Sequence, residues 1–423
     1  VCDANDGREL FTQRASSPEQ IERAIALAAA THADNGWLKH TPQQRAADLE
    51  RIAEQILLRA EAIAVADAQV TGVVISLTTK FAQVCAGAFR QAAQLALKPP
   101  SPTPRDGPFG PLAIERLPLG PAAVIAPWNA PAGIAAHKVA SALAAGCPVL
   151  LKPSEWAPLS AQLITEAASA AGLPAGMLQL LHGAGDVGAA LVGDERVRAV
   201  SFTGGLAAGR AVAASCAQGI KPAQLELGGN NPLVVLADAK LPAAIDGVVT
   251  ALTTLNGQWC RALGRLLVHR SLLQPLLDGV LHRLSTLRLG SSLDASSEMG
   301  PLVSRGHRDH VAAQIKELQA HGGTAHHSTA LPAMAGWFHA PTLITGLAPE
   351  RTLEEIFGPV ATVHAFDTDE QAIALANQTP FGLAAYVFGE EQHAAAVAQR
   401  VRAGLIKINA VTMLNLHPQA PRP

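Results

Sequence analysis

The sequence has no cluster of lysine or arginine residues. Its 32 basic residues nearly balance 34 acidic ones over 423 residues. A protein that follows a nucleic acid or an anionic membrane needs a concentrated positive patch to pair with phosphates. Nucleic acid and membrane surfaces are therefore not expected partners.

Long apolar runs are also missing. The longest candidate, 139–151, is interrupted by Ser141, Gly146 and Pro148 and is too short to span a bilayer. The printed sequence does not open with a basic segment that leads into an apolar run, so no secretory signal is predicted. We expect a soluble protein of the cytoplasm.

Cysteine is sparse, and its five positions form no C-x-x-C pair and have no histidine at metal-ligand spacing. An odd, scattered set argues against both disulfides and a zinc site, so no metal is predicted. What the chain does have is 49% hydrophobic and 16% charged residues. That composition can bury large cores, and the length predicts two to three domains.

The periodicity of apolar residues changes along the chain. The first third is helical, with a cap at Ser17-Pro18-Glu19 and helical spacing over 42–70. From Ala122 onward, short apolar strands alternate with alanine-rich helices, which is typical of crossover units that build a parallel sheet. The strands are predicted at 122–126, 148–151, 178–182 and 197–202, and the helices at 132–145, 159–171 and 204–217.

A second alternating series follows Gly229 and continues to 405–409. It predicts a second α/β domain. The segment 99–119 is rich in proline and glycine and fits neither series.

Four short motifs occur in a fixed order: Pro127-Trp128-Asn129, Glu226-Leu227-Gly228-Gly229, the run 256–260 that ends in Cys260, and the run 354–359. Together they resemble the aldehyde dehydrogenase superfamily, and the resemblance covers about residues 19–409. It implies an NAD(P)-binding Rossmann-like domain, a protruding oligomerisation hairpin and a second, catalytic α/β domain. The corresponding bounds are 1–98 with 120–228, then 99–119, then 229–409, and an incomplete C-terminal segment at 410–423.

Aldehyde oxidation requires a nucleophile, because an aldehyde has no hydride to give until its carbonyl becomes a tetrahedral alkoxide. A thiolate suits that attack near neutral pH, and the resemblance assigns it to Cys260. The side-chain amide of Asn129 and the backbone N–H of Cys260 would stabilise the alkoxide. Loss of hydride to NAD(P)⁺ would leave a thioester on Cys260.

Glu226 is the predicted base that activates water against this thioester. An acid between two leucines is costly to bury, and desolvation would raise its pKa. The alternative is a purely structural role, in which the Glu226 carboxylate caps a nearby backbone turn. Relatives that transfer the acyl group to coenzyme A generally lack this acid, so its presence favours a free carboxylic acid as product. A CoA-acylating enzyme and a catalytically inactive relative with a binding or structural role remain the alternatives.

The cofactor positions are assigned by the same resemblance. Lys152 and Glu155 match positions that hold the adenosine ribose, and the acid favours NAD while leaving NADP possible. Glu355 would bond the nicotinamide ribose. The remaining predicted cofactor residues are Trp128, Ser154, Gly204, Gly205, Gly209, Leu227 and Phe357. Gly205 and Leu206 stand where the family usually carries hydroxyl residues, so this chain lacks those contacts to phosphate.

The run 183–188 matches a G-x-G-x-x-G dinucleotide fingerprint that follows a strand. No acid lies about 20 residues further on to bind a ribose. A simple tight turn is the better interpretation, with a direct pyrophosphate loop as the alternative.

The substrate is a small-molecule aldehyde whose identity the sequence leaves open. The candidate pocket residues are Ala130, Ile134 and His137 after the Asn129 turn, with Trp259 and Arg261 on either side of Cys260. A small Ala130 predicts a roomy entrance, whereas Arg261 could face a polar aldehyde or point away. By resemblance, the protein is a homodimer or homotetramer.

Overall fold

The computed structural model describes residues 1–34, 37, 39–98 and 103–413. These residues form two compact units. Unit 1 consists of Val1, Glu9–Val70 and Ile75–Glu226, and unit 2 consists of Cys2–Arg8, Thr71–Val74 and the chain from Leu227. Among the described residues, no helix is both long and apolar enough to cross a membrane.

The helices of unit 1 begin at capping signals that are readable in the sequence. The Ser17 and Thr41 side chains each accept a hydrogen bond from the backbone N–H three residues on, and the Gln20 and Gln44 side chains in turn accept one from the backbone N–H of Ser17 and Thr41. Such reciprocal boxes satisfy donors that a helix start otherwise leaves open. The helices are α1 Pro18–Ala33, α2 Pro42–Leu57, α3 Ala60–Thr71, α4 Ile75–Ala96, α5 Pro131–Ala144, α6 Leu159–Ala170, α7 Gly185–Gly193 and α8 Leu206–Gln218.

A two-stranded antiparallel hairpin lies within 99–119, the segment predicted to protrude. Its strands are β1 Thr103–Gly107 and β2 Gly110–Ile114. Phe109, Leu112 and Ile114 are exposed large apolar side chains on it. Residues 99–102 of the predicted hairpin lie outside the described residues.

The main sheet of unit 1 is parallel and five-stranded, in the order β5-β4-β3-β6-β7. Its strands are β3 Ala122–Ile125, β4 Val149–Lys152, β5 Leu178–Leu180, β6 Ala199–Thr203 and β7 Ala223–Glu226. β3 and β4 are buried on both faces, as near-continuous apolar runs require. The predicted strands are present, whereas edge strand β7, which has two exposed residues, was not predicted.

Unit 2 contains a seven-stranded sheet in the order β10-β11-β12-β9-β8-β13-β14, with only edge strand β10 antiparallel. The strands are β8 Asn231–Val235, β9 Leu263–His269, β10 Thr324–His326, β11 Thr342–Thr345, β12 Val360–Phe366, β13 Ala384–Phe388 and β14 Leu405–Ile408. The helices are α9 Leu241–Thr253, α10 Leu273–Ser285, α11 Arg305–Ala320, α12 Asp369–Asn377 and α13 Glu391–Ala398. The predicted fold class, two parallel α/β sheets, is confirmed.

Two short N-terminal segments belong to unit 2, although the sequence pattern placed them in the first domain. Asn5 explains one of them, because its amide donates to the Ser292 hydroxyl at 2.9 Å and its carbonyl accepts from the Ser292 N–H at 2.7 Å. Both side chains are buried. The contact joins residues 287 positions apart in the sequence. Such a contact leaves no trace in the periodicity of apolar residues, so it was not predicted.

His393 ties three segments of unit 2 together. Its Nδ1 lies 2.7 Å from the Asp238 carboxylate after β8, and its Nε2 lies 2.8 Å from the Asp369 carboxylate at the start of α12. Hydrogen bonds to these two carboxylates raise the pKa of His393 above its usual value. The folded protein therefore holds this proton more tightly than the unfolded chain does.

We expect His393→Gln to destabilise the protein below about pH 6.5 and to have a smaller effect above it. A raised histidine pKa contributes stability that is complete below the unfolded pKa and is lost as pH rises through the folded pKa. Because His393 and its two carboxylate partners are partly exposed, we expect the free energy of unfolding to fall by about 0.5–1 kcal/mol. Urea midpoints of both proteins near pH 6 and pH 9 test this, and an equal difference at the two pH values would contradict it.

Candidate active site

The predicted catalytic and cofactor residues of unit 1 gather at the carboxyl ends of its parallel strands. Asn129 follows β3, Lys152 ends β4, Gly204 follows β6 and Glu226 ends β7. Open α/β sheets bind ligands at this edge. The structure thus brings together four positions that are spread over about a hundred residues of sequence.

Asn129 is 7% exposed and lies in the short turn between β3 and α5. Helix α5 begins at Pro131, and its N-cap residue Ala130 provides no side-chain cap. Asp67 of α3 supplies a carboxylate instead, since its Oδ2 accepts from the Ala132 N–H at 3.3 Å. A carboxylate at a helix start complements the helix dipole. Asp67 therefore holds the helix start that follows Asn129, and sequence reasoning missed it.

Burial raises the pKa of Asp67 to about 7, although the nearby Ser160 hydroxyl and the hydrogen bond from the Ala132 N–H oppose the shift. The folded protein therefore keeps this proton up to a pH at which the unfolded chain has lost it. The contribution of this proton to the free energy of unfolding is complete below the unfolded pKa of about 3.9 and declines as pH rises towards 7.

We expect the stability of Asp67→Asn, relative to the unmodified protein, to improve as pH rises from about 5 to about 7, by on the order of 2 kcal/mol. The amide stays neutral over that range and still accepts from Ala132. Urea midpoints across this range measure the effect. Asp34→Asn, at the exposed end of α1, serves as the control. Parallel pH dependence in all three proteins would refute the expectation.

Lys152 and Glu155 lie together at the end of β4. Lys152 is 4% exposed, its Nζ donates to the Pro153 carbonyl at 2.9 Å, and it lies 4.0 Å from Oε2 of Glu155. Burial lowers the pKa of Lys152, and Glu155 opposes the shift. Ser154 accepts from the Trp156 N–H at 3.3 Å, and the Trp156 ring lies 5.6 Å from the Trp128 ring. These polar groups and the exposed carboxylate of Glu155 suit a ribose.

Gly204 and Gly205 form the turn between β6 and α8. A Cβ on Gly204 would lie 2.5 Å from the Phe202 ring, so close packing requires glycine there. At Gly205, which caps α8, an added Cβ meets nothing within 4 Å. Gly209 lies one turn into α8, where its N–H donates to the Gly205 carbonyl at 2.9 Å. The open helix start fits a diphosphate, because its amides carry partial positive charge.

The fingerprint 183–188 has a structural explanation in its own packing. Gly183 has a φ of +145°, and a Cβ on it would lie 2.3 Å from Val187. At Gly188 of α7, an added Cβ would lie 3.6 Å from the Ile125 and Lys152 side chains of the sheet, so the helix approaches the sheet closely there. These contacts are those of a tight turn and a close helix–sheet approach, and they support the simpler interpretation.

Glu226 ends the edge strand β7. In register with Thr203 of β6, its carbonyl accepts from the Gly204 N–H at 3.1 Å. Glu226 and both neighbouring leucines, Leu225 and Leu227, are only partly buried, because an edge strand is covered on one side only. The raised pKa expected from a deeply buried acid therefore stays a prediction.

The substrate candidates of unit 1 lie on one face of α5. Ala130, Ile134 and His137 are partly exposed at helical spacing. His137 lines a cavity of about 460 Å³ together with Ser201 and Gln224. Gln224 precedes Glu226 by two residues on β7, so both point to one face of the sheet.

Cys260 follows a strained turn. Leu255, Asn256 and Gly257 all have positive φ, at 53°, 57° and 72°. A leucine rarely adopts such a conformation, and backbone strain of this kind often accompanies functional sites. A Cβ on Gly257 would lie 2.2 Å from the Pro359 backbone, so the turn packs against the end of the 354–359 motif.

Buried amides hold this turn in place. Asn256 donates to the Gly72 and Pro301 carbonyls at 2.8 Å each and accepts from the Gly300 N–H at 3.1 Å. Gln258, which is fully buried, accepts from the Val303 N–H at 2.9 Å. The cysteine is thus carried by a rigid segment.

Asn231 fixes the Cys260 backbone directly. Its amide donates to the Cys260 carbonyl at 2.9 Å and to the Ala262 carbonyl at 2.7 Å, and its Oδ1 accepts from the Ala384 N–H. This buried side chain joins β8 and β13 to the loop that carries the thiol. Neither Asn231 nor Asn256 was predicted as a functional residue, although Asn256 belongs to the motif that ends in Cys260 and Asn231 lies two residues after the motif that ends at Gly229.

Glu355 is the polar group of the 354–359 motif that turns inward. Its Oε1 accepts from the Gly229 N–H at 2.9 Å, and a Cβ on Gly228 would lie 1.9 Å from Oε2. The glycines therefore make room for the carboxylate. Burial raises the pKa of Glu355 to about 7, and the Gly229 hydrogen bond opposes it. The Phe357 carbonyl lies 2.6 Å from Nε2 of His307.

Trp259 and Arg261 flank Cys260 and lie against each other. The Arg261 guanidinium is 5.0 Å from the Trp259 ring centre, and Trp259 is buried. The hydroxyl of Tyr386 donates to the Arg261 carbonyl at 2.7 Å. Tyr386, the single tyrosine of the chain, was missed because β13 reads as an ordinary buried strand.

Comparison with known proteins agrees with this arrangement. A profile described as "Aldehyde dehydrogenase family" matches residues 1–421. The chain belongs to the aldehyde dehydrogenase family. The resemblance inferred from the four motifs is confirmed, and so are the fold and the enzyme class, an NAD(P)-dependent oxidoreductase that acts on an aldehyde.

Several aldehyde dehydrogenases cover nearly the whole chain. A betaine aldehyde dehydrogenase of Cereibacter sphaeroides strain KD131 is 36% identical over 412 residues, 96% of this chain and 84% of the relative. A succinate-semialdehyde dehydrogenase of Paenarthrobacter nicotinovorans is 32% identical over 95% of this chain and 90% of its own length. The betaine aldehyde dehydrogenase of Staphylococcus aureus, solved with NAD⁺, superposes with a TM-score of 0.94 at 31% identity, covering 98% of this chain and 84% of that one.

Proposed function

We propose that this aldehyde dehydrogenase oxidises an aldehyde to a free carboxylic acid through a thioester on Cys260. The observation that carries the proposal is the rigid, strained turn that ends at this cysteine, with its carbonyl held by Asn231 at 2.9 Å. A reacting group must be held within a fraction of an ångström of its productive position, and a clamped turn provides that.

The Cys260 thiolate attacks the aldehyde carbon and forms a tetrahedral alkoxide. The side-chain amide of Asn129 and the Cys260 backbone N–H donate to the oxyanion. Asp67, through the start of α5, keeps the Asn129 turn from shifting. Donors whose positions are fixed before reaction make such stabilisation effective.

Residues of each unit have the chemistry needed to bind one part of an NAD molecule. Glu155 and Lys152 would hold the adenosine ribose, the amides at Gly204 and Gly205 the diphosphate, and Glu355 the second ribose. The open space at Gly205 and the inward carboxylate of Glu355 support this assignment. When bound, NAD⁺ accepts the hydride that leaves the alkoxide carbon.

Glu226 then acts as the base that removes a proton from water, and the resulting hydroxide attacks the thioester. The carboxylic acid leaves, and Cys260 is released as a thiolate. A partly exposed carboxylate on an edge strand has the access to water that this role needs.

Acyl transfer to coenzyme A is the second candidate reaction, and the presence of Glu226 disfavours it. A catalytically inactive relative is disfavoured because the strain and clamping of the 255–260 segment have no evident structural benefit. Relatives named for betaine aldehyde, succinate semialdehyde and geranial span a cationic, an anionic and an apolar substrate. Their names therefore do not select a substrate for this chain.

Self-association is proposed through the hairpin of β1 and β2. Phe109 is fully exposed, and Leu112 and Ile114 are 49% and 44% exposed. Apolar side chains grouped in this way favour burial against another copy. A homodimer or homotetramer and a cytoplasmic location stay predictions.

The test is NAD⁺ or NADP⁺ reduction by purified protein against aliphatic, aromatic, carboxylated and cationic aldehydes, with and without coenzyme A. The acid product is identified by mass spectrometry, and quenched enzyme is searched for an acyl group on Cys260. A free acid formed without coenzyme A and an acylated Cys260 are the expected results. A strict requirement for coenzyme A would instead establish the acylating reaction. Binding of NAD⁺ without turnover of any aldehyde would identify the protein as a catalytically inactive relative.

A further inference from the structure

Two cationic side chains of unit 2 are linked to the Cys260 loop, one by sequence and one through Tyr386, and the mechanism proposed above does not use them. One is Arg261, which directly follows the cysteine. The other is Lys407 on the edge strand β14, 146 residues after Arg261 in the sequence. Both are partly exposed, so a ligand can reach them.

The strand register explains how they come together. Lys407 of β14 is paired directly with Tyr386 of β13, so both side chains project from the same face of the sheet. Tyr386 is buried, and its hydroxyl reaches the Arg261 carbonyl at 2.7 Å. The tyrosine thus spans the distance between the edge strand and the loop that carries the nucleophile.

The electrostatic influence of these groups on one another agrees with that geometry. Burial and the charge of Arg261 lower the pKa of Lys407. Burial raises the pKa of Tyr386, with Arg261 and Cys260 acting on it in opposite directions. Arg261 and Cys260 therefore both act on the Tyr386 phenol, and Lys407 lies beside Tyr386 on the neighbouring strand.

The remaining contacts of the two cations are to uncharged groups. The Lys407 Nζ donates to the carbonyl and hydroxyl oxygens of Thr412, and Arg261 lies over the Trp259 ring. Over residues 1–34, 37, 39–98 and 103–413, neither forms an ion pair with a carboxylate. Positive charge at a half-buried site interacts more strongly with an incoming anion than it does in bulk water.

We propose that Arg261 and Lys407 form a recognition site for a negatively charged group on the substrate. The substrate class is an aldehyde that carries a carboxylate a few carbons from its carbonyl, the monoaldehyde of a short dicarboxylic acid. This inference rests on the proposed reaction at Cys260 and adds its selectivity. The same two charges repel an aldehyde that carries a quaternary ammonium group, so the site also discriminates against cationic substrates.

Three small aldehydes test the selectivity: succinic semialdehyde, butanal and betaine aldehyde. We expect kcat/KM to be at least about tenfold higher for the anionic than for the neutral aldehyde, and lowest for the cation. Arg261→Met and Lys407→Met should each lower the anionic-to-neutral ratio about fivefold or more, whereas Arg261→Lys should keep most of it. Lys316→Met, which removes an exposed charge from α11, is the matched control and should leave the ratio unchanged.

A second measurement does not depend on catalysis. Iodoacetate and iodoacetamide alkylate the same thiol but differ in charge, so the ratio of their rate constants at Cys260, followed by mass spectrometry, reports the local field. A change in the thiolate fraction of Cys260 changes the rate constants of both reagents by the same factor. The ratio of the two rate constants is therefore independent of the thiolate fraction. We expect the iodoacetate preference to fall about fivefold in Arg261→Met and Lys407→Met relative to Lys316→Met.

The two measurements separate failure of the reaction from failure of the site. If no aldehyde is oxidised, the proposed reaction fails, and the alkylation ratio still decides the recognition site. A preference for butanal or betaine aldehyde in the unmodified protein overturns the inference. Ratios in Arg261→Met and Lys407→Met that match Lys316→Met overturn it as well.

Discussion

Replacement of Cys260 by alanine is expected to reduce aldehyde oxidation by at least about 10⁴-fold, because removal of a covalent nucleophile eliminates the reaction path itself. Fixed donors around the site cannot compensate, since no alkoxide forms for them to stabilise. The fold should be retained: the backbone clamp on this loop uses Asn231 and Asn256 and not the thiol. Steady-state NADH formation and a thermal melt of the same sample measure the two effects.

Cys2→Ala is the control for this experiment, because Cys2 is the exposed cysteine of the described chain. It should keep full activity. Cofactor affinity, measured by tryptophan fluorescence, should be similar in both variants. If Cys260→Ala kept more than about a tenth of the activity, the covalent mechanism would be wrong.

Glu226→Gln is expected to separate the two halves of the reaction. The first turnover should still release about one NADH per active site, since acylation of Cys260 does not require this acid, whereas steady-state turnover should fall about 10²–10⁴-fold. The amide has nearly the same shape as the carboxylate but cannot take a proton from water. Stopped-flow absorbance resolves the burst from the steady state, and intact mass spectrometry should find the acyl-enzyme accumulated.

Two controls make the Glu226 result specific. Glu354→Gln removes an exposed carboxylate next to Glu355 and should leave the steady-state rate unchanged. Hydroxylamine needs no base to attack a thioester, so it should restore turnover in Glu226→Gln. A variant that turns over at the normal rate without hydroxylamine would assign deacylation to another group.

The site of unit 1 follows from local patterns. Apolar strands that alternate with alanine-rich helices placed Asn129 just after β3 and predicted the start of α5 to within one residue of Pro131. Carboxyl ends of parallel strands share one edge, which is why Lys152 and Gly204, at the ends of neighbouring strands, lie at the same edge as Asn129. Glu226 was expected to be deeply buried, but it lies on an edge strand that is exposed on one side.

The surroundings of Cys260 could not be read from the sequence in the same way. The clamp on Asn256 uses backbone carbonyls at Gly72 and Pro301, and an amide that bonds to a distant backbone leaves no periodic trace. A positive φ at Leu255 runs against local preference and is imposed by tertiary contacts. The Tyr386–Lys407 pairing depends on strand order, which sequence periodicity does not give.

The three left-handed residues before Cys260 also determine how much of the chain must be synthesised before this turn can be completed. Their partners are Gly72, Gly300, Pro301 and the Pro359 backbone, so the turn gains its last support only after residue 359 has been synthesised. A nascent chain that ends before residue 359 therefore lacks the backbone against which Gly257 packs. The supported position of Cys260 is therefore reached only when the surrounding elements of unit 2 are present, and not during the synthesis of the segment that carries it.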